Sequence, residues 1–187
     1  ARIIISPQAS DQAVLSKARE EARQELTLAE NLSKDEIDNL LVAIAKNARN
    51  NRKHAFETLT SLAQAGAINN SNLEGIKTLF KSITYNQNEY PTEAFLAIKS
   101  FAQAGVFNKN ALEDIQYFFT YIIDNAGESM RMTFDSLKSL WEDVKVKRLN
   151  EEIVDIIFLR NIIEDANEDI GVALSALRVI AWTGRIN

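Results

Sequence analysis

Two tyrosines four positions apart, Tyr117 and Tyr121, carry the most specific chemical signal in this sequence. They sit in ALEDIQYFFTYIID, where Ile115, Phe118, Phe119 and Ile122 recur at helical spacing and define a buried side. At about 100° per residue the two rings fall about 200° and 240° from Ile115, on the opposite face. The aligned positions 39 residues earlier are Thr78 and Ser82, and 39 later Ile156 and Arg160. Tyrosine offers large contact area with few rotatable bonds, so an outward pair suits a protein-binding patch, with Lys77, Lys81 and Arg160 as its charged rim. The alternative is that the rings pack against a long side chain or a terminal helix of the same chain.

A second candidate is the basic cluster Lys46, Arg49, Arg52, Lys53 and His54, around a helix end and the turn after it. The helix dipole by itself favours cations there. The functional alternative is a patch for phosphate, for an acidic partner or for nucleic acid, with Lys145, Lys147 and Arg148 at a second basic corner. The acidic pairs Glu113-Asp114, Glu142-Asp143, Glu151-Glu152, Glu164-Asp165 and Glu168-Asp169 invite metal or hydrolase chemistry, but adjacent carboxylates on a helix diverge by about 100° instead of converging.

The inventory for catalysis is thin. His54 is the sole histidine and cysteine is absent, which removes His-rich metal sites, His-Glu-x-x-His motifs and thiolate chemistry. No Gly-x-Ser-x-Gly elbow or phosphate-binding loop occurs. The expectation is a chain that is not an enzyme and requires no cofactor and no metal. A carboxylate-dependent enzyme is the remaining catalytic reading, and it would need distant acids to meet in the fold.

The elements that position these residues are written twice. FETLTSLAQAGAINNSNLEGIKTLF, from Phe56 to Phe80, is echoed 39 residues later by FLAIKSFAQAGVFNKNALEDIQYFF, from Phe95 to Phe119. Phe56, Phe95 and Phe134 align, as do Leu59, Ile98 and Leu137; a fourth copy is expected to keep the register through Val154, Ile157 and Phe158, then Leu174, Leu177, Ile180 and Gly184. Ser33-Lys34-Asp35-Glu36 has capping-box spacing, Ser71-Asn72-Leu73-Glu74 and Asn110-Ala111-Leu112-Glu113 repeat that start signal, and Ser6-Pro7 opens an earlier helix. Gly66 and Gly105 sit where helices must stop, while Trp141 replaces the small residue of that corner in the third unit.

The pattern predicts an all-α fold: an α-solenoid-like stack of antiparallel helical hairpins with a 39-residue period and about eight or nine helices. One domain spans 1–187, with 1–32 an N-terminal capping helix and 33–187 the hairpin repeats. Two-helix units of this length resemble the HEAT and armadillo class of repeats. The resemblance implies that the second helices form a surface that binds a helix or an extended segment of another protein.

Composition narrows the partners. The net charge of −5 falls wholly in 101–187, which disfavours a surface that tracks nucleic acid phosphates. No run reaches the roughly 18–20 apolar residues of a membrane helix, and Ile3-Ile4-Ile5 is too short for a signal-peptide core. No membrane insertion is expected, and with no cysteine the cytoplasm is the default location. The chain starts without Met and stops just after a helix, as a segment of a longer protein would.

Overall fold

The computed structural model describes residues 7–29, 31–85, 88–105, 111–146, 148 and 155–183. Expectations placed on Ile3, Ser6, Asn110, Lys147, Glu151, Glu152, Val154 and Gly184 lie outside the described residues. The fold is all-α. Among the described residues the helices are α1 (Pro7–Leu28), α2 (Lys34–Ala48), α3 (Arg52–Gln64), α4 (Leu73–Thr84), α5 (Pro91–Gln103), α6 (Ala111–Asn125), α7 (Met130–Lys145), α8 (Ile156–Ala166) and α9 (Ile170–Trp182). None of them is long and apolar enough to cross a membrane.

Local chemistry sets the helix ends. Ser33 caps α2 reciprocally: the Glu36 N–H donates to its hydroxyl at 3.2 Å, and its own N–H donates to the Glu36 carboxylate at 2.7 Å. Ser71 does not do the same. Helix α4 begins at Leu73, and Asn69 and Asn72 tie the loop instead: Asn72 accepts from the Asn69 N–H and donates to the Ala67 carbonyl, while the Asn69 side chain accepts from Ser71. Asparagine side chains that reach their own loop outcompete a cap one turn away. At Gly66 (φ +69°) the chain closes α3, with Gly66 N–H donating to Ala63 and Ala67 N–H to Leu62. This pair of bonds needs a left-handed residue, which a glycine supplies without steric cost.

Packing sorts the helices into two rows. Helix α1 packs on α3, α3 on α5, α5 on α7 and α7 on α9, while α2 packs on α4, α4 on α6 and α6 on α8. A continuous apolar core runs between the rows from Ala18 to Ala181. Phe80 meets Phe95 at 5.3 Å, Phe119 stacks on Phe134 at 5.8 Å, and Trp141, fully buried, meets Phe101 at 4.9 Å. Small residues let the odd row close up. Buried Thr58 donates to the Phe95 carbonyl at 3.0 Å, and a methyl on Gly171 would lie 2.9 Å from Met132.

The expected register fails in α8. Its buried residues are Ile156, Leu159 and Ile163, whereas Ile157 is 58% exposed and Phe158 38%. Relative to Phe118 and Ile122 the spacing is therefore 41 residues, which places a different face of α8 on the core. Ile156 is accordingly buried instead of matching Tyr117. Likewise Ile180 is 41% exposed, and Ala181 takes the inward position at the end of α9.

Asp143, at the end of α7, is nearly buried and holds the last helix in place. It accepts from Arg178 Nε at 2.8 Å and from the Trp182 indole N–H at 3.1 Å, and Arg148 lies 3.8 Å away. Two outcomes follow in urea denaturation. Phe119→Ala should lose about 3–5 kcal/mol through the cavity between the rows. Asp143→Ala should lose about 2 kcal/mol, less than breaking a fully buried pair because Arg178 keeps access to water.

Candidate functional site

The expected tyrosine patch is assembled by α6 and α8. Tyr117 is 42% exposed and donates its hydroxyl hydrogen bond to Glu164 Oε1 at 2.9 Å. Arg160 pairs with the same oxygen at 2.9 Å and sets its guanidinium carbon 3.9 Å from the Tyr117 ring centroid. Tyr121 stacks on Tyr117 at 6.2 Å but is half-buried against the core, so only Tyr117 has the outward position expected of both. Arg160 reaches the patch from α8 with its charge matched by Glu164. The interactions shift two groups in opposite directions. Glu164 lies below the usual carboxylate range, first through Arg160 and then through Tyr117, and the hydrogen bond that Tyr117 donates to this carboxylate raises the phenol.

Along the outer face of α6 runs an open groove of about 430 Å³, lined by Glu113, Gln116, Tyr117, Thr120, Tyr121, Asp124 and Asn125. Its rim is acidic, not basic. Helix α6 contains Glu113, Asp114 and Asp124 and no Lys or Arg. Lys77 and Lys81, expected at this rim, serve α4: Lys77 pairs with Glu74, and Lys81 lies 5.5 Å from the ring centroid of Tyr85.

The basic cluster divides. Arg52 Nε donates to the Ala45 carbonyl at 2.8 Å and so completes the end of α2. Lys53 pairs with Glu57 at 3.9 Å, and Glu57 is shared with Lys99. His54 has a buried Nδ1 with no hydrogen-bond partner among the described residues. Arg49 turns the other way and places its guanidinium carbon 4.2 Å from the Tyr85 ring centroid. Arg49, Lys81 and Lys46 together hold the Tyr85 phenol below its usual value, with Arg49 the largest influence. Tyr85 escaped the sequence reading, although its spacing of four from Lys81 was the available signal.

The larger groove, about 560 Å³, lies between α7 and α9 beside Met132, Ser136, Ser175 and Arg178. Four of its polar side chains are committed internally: Ser136 and Ser175 share a hydrogen bond at 2.9 Å, Arg178 binds Asp143, and Arg131 pairs with Glu93. Among the described residues no group of three His, Asp or Glu side chains could hold a metal ion. No family model matches the chain, and neither the curated proteins nor the solved structures yield a match.

The two tyrosine environments differ in sign and can be read by absorbance titration against Tyr→Phe variants. Tyr85 should ionise below, and Tyr117 above, the usual phenol range. Glu164, whose folded pKa is depressed, supports the α6–α8 contact above the usual carboxylate range, and that support should be lost as pH falls through its lowered value.

Proposed function

We propose that this chain is a protein-interaction module in which α2, α4, α6 and α8 form the docking face of an α-solenoid-like stack of hairpins. The stacking reading is supported by the two rows of packed helices and by the Phe80–Phe95 and Phe119–Phe134 pairs, which recur 39 residues apart. It is also supported by left-handed residues at three even-to-odd corners, Arg49 after α2, Gly127 after α6 and Asn167 after α8. In α8 the register advances by two further residues.

The observation that carries the functional reading is the α6 groove. An aromatic floor of Tyr117 and Tyr121 meets rim carboxylates Glu113 and Asp124, which have no ion-pair partner among the described residues. Such a surface suits a Lys- or Arg-bearing segment of a partner protein: cations gain from the carboxylates, and aliphatic stems cover the exposed ring edges. The occupant is therefore basic, and the expected Lys77 and Lys81 rim plays no part in holding it.

Peptides selected by display against the chain should be rich in Lys and Arg and bind less tightly as salt rises. The exposed double reversal Glu113→Lys with Asp124→Lys should weaken them about tenfold or more and leave the helical circular dichroism unchanged. Selection of acidic peptides, or full retention of binding by the reversal, would remove the groove from consideration. Tyr121→Ser is a poorer probe, because it also removes packing from the core.

A further inference from the structure

Arg49 is held where an arginine is unfavourable. It follows the last turn of α2 at φ +47°, ψ −114°, a conformation that L side chains rarely adopt. The corner after α6 meets the same need with Gly127 (φ +47°), and the corner after α8 with Asn167 (φ +54°). Glycine is free of that strain, and a strained residue that persists is a pointer to function.

The ordinary explanation for a cation here is helix capping, and that task is already done by others. Arg52 serves the Ala45 carbonyl, and the Thr84 hydroxyl donates to the Asn47 carbonyl. What Arg49 reaches is the Tyr85 ring, at 4.2 Å, which Lys81 approaches at 5.5 Å. Lys46 stands one turn earlier on α2 and acts on the same phenol. All three cations are exposed, and none has a carboxylate within ion-pair distance among the described residues.

We propose that Arg49, Lys81, Lys46 and the Tyr85 hydroxyl form a binding site for a phosphate monoester, carried as a phosphorylated residue on the partner protein. Three cations and a phenolic donor suit the charge and the acceptor oxygens of such a group, and arginine recognises it in a bidentate fashion. A nucleic acid strand fits less well, because α6, which packs beside α4, carries Glu113, Asp114 and Asp124 and no Lys or Arg to track further phosphates. The source of the phosphate, a protein segment, rests on the docking face proposed above; the anion site itself does not.

The test is an amide-shift titration of the whole chain with O-phosphoserine and, separately, inorganic phosphate at low ionic strength. Saturable shifts centred on Arg49, Lys81 and Tyr85 are expected, together with a rise in the pH at which Tyr85 ionises. Arg49→Gly and Lys81→Gln should each weaken binding about tenfold or more, and Arg49→Gly should also raise the melting temperature by relieving the corner. Undiminished binding by Arg49→Gly, a lower melting temperature for it, or shifts that never saturate would overturn the site. Tighter, Arg49-dependent binding of a thymidine oligonucleotide than of a phosphoserine peptide would overturn the protein source in favour of nucleic acid. The Glu113→Lys, Asp124→Lys variant should keep phosphoserine affinity, so failure of the α6 groove and failure of this site are told apart.

Discussion

The stack of Phe119 between Phe134 and Trp141 joins the two rows of helices, and most other features depend on it. Each ring removes roughly 150–250 Å² from water, far more than any surface pair contributes. Phe119 comes from the even row, Phe134 and Trp141 from the odd row, so neither row is complete without the other. Phe101 extends the same layer towards α5. With the rows joined through aromatic volume, the outward faces of the helices are released from packing duties.

The two rows use that release differently. In the odd row, small and hydroxyl side chains bring helices close and satisfy each other: Thr58 with Phe95, Ser136 with Ser175 and Ser61 with Gln103. Asp143 adds a buried charge already matched by Arg178 and hydrogen-bonded by the Trp182 indole. On the even row, exposed charges of one sign gather at two places. Lys46, Arg49 and Lys81 gather around Tyr85 at the α2–α4 end, while α6 is acidic throughout. Surface charges of one sign gathered on a short stretch repel one another, and an opposite charge from outside relieves that repulsion.

The all-helical class was legible because apolar residues recur at three and four positions and the corners carry glycine. Ser33 was legible as a cap because its partner Glu36 is three residues away, within one turn. Ser71 misled for the complementary reason: Asn69 and Asn72 compete for the same loop groups, and spacing does not rank competitors. Ile157 and Phe158 misled because a 39-residue alignment assumes that every connection has the same length. Two extra residues rotate a helix by about 200° and exchange its faces.

Periodicity and local spacing are properties of neighbouring residues, so the sequence by itself determined the helices, the Gly66 corner, the Ser33 cap and the candidate status of Tyr117. Meetings between residues far apart in the chain were decided by tertiary structure alone. It set Glu164 under Tyr117, Asp143 against Arg178 and Trp182, and Arg49 on Tyr85. The physical reason is reach. A capping bond or a helical stripe acts over four residues, whereas these contacts span 35 to 47 residues and exist only once the core has stacked the helices that carry them. The sign of charge around the tyrosines followed from the same stacking, which brought Glu164 to Tyr117 and added Arg49 to the Lys81 already one turn from Tyr85.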